Sequence, residues 1–286
     1  MSYAWSAGGN LATGRWALGG LGTQSAGLSF GGATGVFLAN TEEYDSTAWA
    51  AGGALATARW GLGSAGTQIA GLGFGGYTGS QSVETSEYDG TAWSAGGNLP
   101  VALRTQGGAG TQTAALGCGG YDGSNPVVRT SEYDGTTWST GGDLATARWS
   151  LGGAGTQTAG LSYGGFATAN SAVTELYDGT AWSAGGALAA GRREIAGCGT
   201  QAAGLSFGGS DASSLSAVTE TYNGTTWSAG SNLITGRRYL GGAGLQTAGL
   251  SFGGIDTGDS VKTEEYNEIA GGIPRHAMYY ARQRQA

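Results

Sequence analysis

Proline, cysteine, histidine and charge are all scarce in this chain of 286 residues. Three prolines and no G-X-Y period exclude collagen, although sixty glycines make up about a fifth of the residues; ordinary proteins carry roughly 7%. Two cysteines, Cys118 and Cys198, are too few for a disulfide framework and fall at different places in the repeat described below, so both are expected as small buried fillers. Charged residues are only 12% of the chain, with no lysine- or arginine-rich stretch and a net charge of −7. Phosphate binding needs clustered cations, so no nucleic-acid partner is expected. No apolar run reaches the roughly 18 residues that a bilayer requires, so no membrane insertion is expected. The start, MSYAWSAGGN, has neither a basic n-region nor an apolar h-region and does not read as a secretory signal. P-loop, CxxC and HExxH motifs are missing, and Asp256-Thr257-Gly258-Asp259 lacks the ligand count of a calcium loop, so neither metal nor cofactor is expected.

Aromatics and repetition fill the space these absences leave. Nine tryptophans and thirteen tyrosines argue against disorder. Trp5, Trp49, Trp93, Trp138, Trp182 and Trp227 recur every 44 or 45 residues. Tyr44, Tyr88, Tyr133, Tyr177, Tyr222 and Tyr266 keep the same step, as do the glycine pairs beginning at Gly31, Gly75, Gly119, Gly164, Gly208 and Gly253. Arg15, Arg59, Arg104, Arg148, Arg192 and Arg237 complete the register.

Residues 104–138 give one unit: RTQGGAGTQTAALGCGG, YDGSNPVVRTSE and YDGTTW. The small residues after Arg104, the turn Gly110-Thr111-Gln112, the alternating run TAALGCGG, a variable loop and the run TSEYD precede Asp134-Gly135. That pair then leads into Thr137-Trp138-Ser139. Asp-Gly between β-type runs predicts a hairpin, with a type I′ turn expected. Four short strands per repeat match a propeller blade, and no segment has the 3.6-residue period of a solenoid helix. Small inner strands such as Leu151-Gly152-Gly153-Ala154-Gly155 suit a narrow axis, and the tryptophans and tyrosines suit the wedges between blades. Trp5 precedes the first arginine, and no tryptophan follows Tyr266. The chain phase therefore predicts an all-β, six-bladed propeller of four-stranded blades, closed by an N-terminal strand joining three C-terminal strands. The propeller is expected over residues 1–266, with residues 267–286 as a basic tail.

The order Tyr88-Asp89, Trp93, Leu99-Pro100, Arg104 and Gly119-Gly120 resembles the kelch repeat. The resemblance spans residues 3–266. The phrase GTQTAGLSYGG at 155–165 and GLQTAGLSFGG at 244–254 make the chain similar to the glycine-rich kelch-like propellers of tailed, marine-type bacteriophages. Two propeller enzymes are weighed against this. Galactose oxidase binds copper through two histidines, and this chain has one, His276. Ser131-Glu132-Tyr133-Asp134-Gly135-Thr136-Thr137-Trp138 keeps the Ser-to-Trp distance of a sialidase Asp-box but puts Tyr where its Asp should stand. Catalysis needs different groups converging at one point, whereas these arginines and tyrosines recur in every blade, so no enzyme activity is expected.

The copies differ most between the second and third strands: ATGVFLAN (33–40), YTGSQSV (77–83), YDGSNPVV (121–128), FATANSAV (166–173), SDASSLSAV (210–218) and IDTGDSV (255–261). Phe37, Tyr77, Tyr121 and Phe166, with Asp122, Asp211, Asp256 and Asp259, are the candidate ligand-binding residues; aromatic-plus-carboxylate surfaces suit sugars. Arg15, Arg59, Arg104, Arg148, Arg192 and Arg237 are expected near the channel mouth on that same face. Each is expected to pair with a carboxylate or cap carbonyls, with an anion or acidic-sugar site as the functional alternative. Arg193 and Arg238 double the charge where other copies have Trp16, Trp60 and Trp149. Gln24, Gln68, Gln112, Gln157, Gln201 and Gln246 are expected on the opposite turns. The tail holds three arginines against one glutamate, while the rest has ten basic and nineteen acidic residues. Arg275, His276, Tyr279, Tyr280 and Arg282 mark it as a possible docking segment.

These expectations describe a non-enzymatic structural or binding module. The phage resemblance implies a tail- or capsid-associated virion protein, made in the host cytoplasm, with other virion structural proteins as partners and a host surface glycan on its variable loops. Two alternatives stay open: a cytosolic kelch-type scaffold gripping an acidic peptide, and a degenerate sialidase-like glycan hydrolase.

Overall fold

The computed structural model describes residues 2–211 and 214–269. They form six antiparallel four-stranded sheets, with no helix among the described residues, arranged as a six-bladed β-propeller. Blades one to six begin with the inner strands Gly19–Gly22, Gly63–Thr67, Gly107–Thr111, Gly152–Thr156, Ala196–Gly199 and Gly241–Leu245. These strands neighbour one another in a closed cycle in which blade one touches both blade two and blade six.

Blade six takes its outer strand from the other end of the chain. Ser2–Ala7 pairs antiparallel with Thr263–Ile269, with Trp5 opposite Tyr266, as the chain phase predicted. The last strand runs past residue 266, the expected end of the propeller, because Asn267, Glu268 and Ile269 find partners in Ala4, Tyr3 and Ser2.

Small residues line both sides of the inner strands over their first two positions, glycine at every one but Ala196 and Ser64. A Cβ on Gly19, Gly63 or Gly241 would fall within the ring of Phe30, Phe74 or Phe252, which lies opposite in the same blade. A Cβ on Gly153 would stand 2.6 Å from the Gly108 carbonyl of the neighbouring inner strand. Inner strands can therefore approach closely only through such small residues, and where serine replaces glycine, Ser64 Oγ donates to the Gly20 carbonyl at 2.8 Å.

Outer strands fill the widening wedges. Each repeat tryptophan, Trp5 included, donates its indole N–H to a threonine of the adjacent blade at 2.8–3.0 Å, as Trp93 does to Thr41. The Trp93 ring also lies 4.7 Å from Phe30 across that seam. Each of the six repeat glutamines donates to two carbonyls of a neighbouring blade, Gln68 to Gly27 and Tyr44 for example. Tyr44, Tyr88, Tyr133 and Tyr177 donate to Glu265, Glu43, Glu87 and Glu132 at 2.5–2.7 Å, again across a seam. Burial, then the carboxylate acceptor, pushes each of these four phenols up to about 12. Cys118 and Cys198 are buried free thiols, as expected, and burial raises both.

The Asp-Gly turn departs from expectation. Of its central pair Gly135-Thr136 only Gly135 has positive φ (90°), so the turn is not type I′. The Asp134 carboxylate explains the difference, since Oδ1 accepts from the amides of both Thr136 and Thr137 and holds the tip in an Asx geometry.

Candidate ligand-binding face

Every connector between blades carries three consecutive positions with three different fates. The first is the clasp. Arg15, Arg59, Arg148, Arg192 and Arg237 are at most 2% exposed and do not line the channel mouth, which corrects the expectation of an arginine ring there. In blade one, Arg15 Nη1 donates to the carbonyls of Gly31 (3.2 Å) and Asn40 (2.8 Å), on either side of the variable loop. Its Nη2 meets the buried Glu42 carboxylate at 2.5 Å, which also accepts from the Ala12 amide at 2.7 Å. Blades four, five and six repeat this arrangement with Glu175, Glu220 and Glu264. Burial lowers Arg15, Arg192 and Arg237, and the glutamate opposes it in each case. Blade two has Ser86 instead of the glutamate and only the half-exposed Glu84 nearby, and burial brings Arg59 down to about 10. The expectation that the guanidiniums pair with carboxylates and cap carbonyls holds at these five positions. Their use is structural: side-chain bonds to both stems pin each loop whatever its tip contains.

Arg104 is not a sixth clasp. The carbonyl that receives the Gly76 amide in blade three is that of Leu103, as the Arg59 carbonyl receives the Gly32 amide, so Leu103 holds the clasp position. Arg104 occupies the second position, with Trp16, Trp60, Trp149, Arg193 and Arg238. In every blade this residue makes an isolated bridge to the residue after the glycine pair, which bridges in turn into the variable loop: Trp60 to Tyr77 to Gln81, and Arg104 to Tyr121 to Pro126.

The third position closes the ring. Ala17, Gly61, Thr105, Ser150, Glu194 and Tyr239 all adopt positive φ, between 49° and 68°. Each amide donates to the carbonyl of its counterpart in the neighbouring blade at 2.7–3.0 Å, so six bonds run head to tail around the axis. Five of the six are not glycine, a strain the closed circle of bonds holds in place. The circle and the inner strands together line a cavity of about 150 Å³.

Above it, the second-position side chains and the loop aromatics make a continuous circuit. Tyr239, Trp16 and Trp60 follow one another at 5.6 and 5.3 Å between ring centroids, and Trp60 lies 5.5 Å from Tyr77. The Arg104 guanidinium stands 5.0, 4.9 and 5.1 Å from the ring centres of Trp60, Tyr77 and Tyr121. Tyr121, Trp149 and Phe166 continue at 5.6 and 5.9 Å, and Arg193 covers Phe166. Arg193 and Arg238 share the buried Glu194, 3.3 and 3.4 Å away, and Arg238 returns to the Tyr239 ring. Burial, then the Glu194 charge and hydrogen bond, raises the Tyr239 phenol. The circuit is thus aromatic along blades one to four, with the Arg104 guanidinium set among the rings of blades two and three, and ion-paired along blades five and six.

Of the sequence candidates, Tyr77, Tyr121 and Phe166 join this circuit, and Phe37 touches it edge-on through Tyr77 at 5.8 Å. The aspartates serve their own loops. Asp122 accepts from the amides of Ser124 and Asn125, Asp211 from the amide and hydroxyl of Ser214, and Asp256 from Thr257 and the Lys262 ammonium (2.8 Å). Asp259 bridges Ile255 through its backbone and is exposed. The tail candidates Arg275, His276, Tyr279, Tyr280 and Arg282 lie outside the described residues. Sequence reasoning missed Glu194 and Tyr239 and misplaced Arg104. A signal existed: a leucine stands four residues before each clasp arginine, as Leu11 before Arg15 and Leu144 before Arg148, whereas Leu99 stands four before Leu103 and five before Arg104. Neither a family model nor a curated protein matches the chain.

Proposed function

We propose that this protein is a non-enzymatic binding module that takes a surface glycan on the face where the variable loops surround the channel mouth. The observation that carries the reading is the aromatic circuit, which sits on loop stems held by a buried clasp. A constant base with variable tips is the arrangement of a recognition surface. Among the described residues, the perturbed phenols and guanidiniums serve repeated packing links, which supports binding rather than turnover. With the clasp arginines buried and Arg193 and Arg238 sharing Glu194, no ring of six exposed cations remains for the acidic peptide of a cytosolic scaffold. The resemblance to phage propellers favours a virion component, synthesised in the host cytoplasm and attached to other virion structural proteins. The test is an array of neutral and acidic oligosaccharides probed with the full chain, alongside immunogold labelling of purified particles. Binding that is lost when Trp60 and Tyr77 become alanine supports the reading. An array without hits overturns the glycan assignment, and unlabelled particles overturn the virion assignment.

A further inference from the structure

Arg104 differs from the other two cations of the circuit. Arg193 and Arg238 share a carboxylate, but no hydrogen bond or ion pair among the described residues engages the Arg104 guanidinium. Three rings surround it at about 5 Å, and its Nε is buried without a partner. A cation stacked on aromatic faces keeps its in-plane N–H donors directed away from those faces, free for an anion, and guanidinium geometry suits two parallel bonds to a carboxylate or sulfate. Next to it Phe37, 39% exposed, stands edge-on to Tyr77 and offers a flat apolar surface.

We propose that Phe37, Trp60, Tyr77, Arg104 and Tyr121, drawn from three blades, form a subsite for an acidic saccharide. Its carboxylate or sulfate is held by Arg104, and its pyranose C–H face lies on Phe37, with the Tyr77 ring standing perpendicular beside it. This rests on the glycan reading above and names the class of glycan. A peptide strand is disfavoured because the backbone here is already paired: Arg104 and Tyr121 exchange both N–H···O bonds, at 3.1 and 2.9 Å, and Pro126 offers no donor. Side chains alone must then make the recognition.

The test variant is Arg104→Trp, because Trp16, Trp60 and Trp149 hold this position in other blades and the fold accepts tryptophan there. Wild type and variant are compared on an array carrying oligogalacturonate, sialyllactose, sulfated galactose oligomers, neutral galacto-oligosaccharides and hexaglutamate, with calorimetry on the strongest hit. The expected result is wild-type binding confined to acidic saccharides, weakened at least about tenfold in Arg104→Trp and by added salt. A matching melting temperature certifies the variant's fold; should the variant melt early, Arg104→Lys, which keeps the charge but loses the fork, must weaken binding instead. Acidic binding unchanged in a folded variant overturns the subsite. Binding of neutral sugars as tight as acidic ones overturns the subsite and leaves the glycan reading standing. Tighter binding of hexaglutamate overturns it in favour of an acidic peptide. No saccharide bound by wild type overturns both.

Discussion

The Arg148–Glu175 clasp can be cut on either side or on both, and the neighbouring blades already display two of the three outcomes. Both side chains are at most 3% exposed and meet at 2.9 Å. Arg148→Leu also removes bonds to the Gly164 and Val173 carbonyls and to Ser162 Oγ, leaving the Glu175 carboxylate with the Ala145 amide. Stranding one member of a buried pair costs about 3–5 kcal/mol. Glu175→Ser should cost less, about 1–3 kcal/mol, because the arginine keeps its carbonyls and gains a hydroxyl. Blade two approaches that state, with Arg59 donating to Ser86 Oγ at 2.7 Å, although it keeps Glu84 at 3.3 Å where blade four has Val173. The double variant recreates the Leu103 and Ser131 pairing of blade three and should cost less than Arg148→Leu alone. The coupling energy should then be at least about 1 kcal/mol in favour of the double variant, the cost of Glu175→Ser alone. Urea unfolding followed by tryptophan fluorescence, compared at constant m, reads all three values. Additivity within about 0.5 kcal/mol would refute the clasp as an energetic unit. An Arg148→Leu cost below about 1 kcal/mol would show that water reaches it.

Three further outcomes follow from the seams. Deleting residues 1–9 removes Trp5, 6% exposed and bonded to Thr219, together with the closing strand. By the cost of losing a buried tryptophan, about 3–5 kcal/mol, the melting temperature should fall by roughly 6–20 °C, and synthetic peptide 1–9 should restore part of it. A truncated chain that melts like the intact one would refute closure. Leu176 stands where four of the other blades place the tyrosine's glutamate and leaves Tyr222 Oη buried without a partner; Leu176→Glu should raise stability by about 1 kcal/mol in urea, and a lower midpoint would count against it. Tyr44, Tyr88, Tyr133 and Tyr177 titrate near 12 in the folded chain against 10 unfolded. The folded state therefore holds protons the unfolded state has released, and this stability, complete below pH 10, is lost as pH rises from 10 to 12. Thermal melts across that range should drop less steeply for Tyr88→Phe/Tyr133→Phe than for wild type.

The propeller, its blade count and its closure were legible because they depend on spacing and phase, which a chain displays directly. The arginine register was not. Blades three and five carry longer variable loops, so the repeat step takes both values, 44 and 45, and an arginine at 104 passes for a copy although it stands one residue out of phase with Leu103. One residue decides between a buried clasp and a position in the circuit, because consecutive residues on an extended connector point to opposite sides. The side chains that form the circuit come from two segments per blade that are distant in sequence, and their convergence at one mouth has no local signature.

Where the copies disagree is itself informative. The opposite mouth is built of the glutamines, all six retained, and of the turns Asp45-Ser46-Thr47-Ala48, Asp89-Gly90-Thr91-Ala92, Asp134-Gly135-Thr136-Thr137, Asp178-Gly179-Thr180-Ala181 and Asn223-Gly224-Thr225-Thr226, which are nearly uniform. Both sets of turns are largely exposed, so solvent tolerance alone would let both faces drift alike. Instead most differences gather in the second and third connector positions and the loop tips on the face of the circuit, while the opposite side varies chiefly in the residues flanking the glutamines, such as Ile69 and Leu245. Packing explains the uniform side, since each glutamine must reach two carbonyls of the adjacent blade. It does not explain why one blade set presents tryptophan where another presents an ion-paired arginine and blade three an unpaired one. Such asymmetry on a symmetric scaffold distinguishes positions around the mouth, and a ligand with an apolar side and an anionic side is the chemistry able to use it.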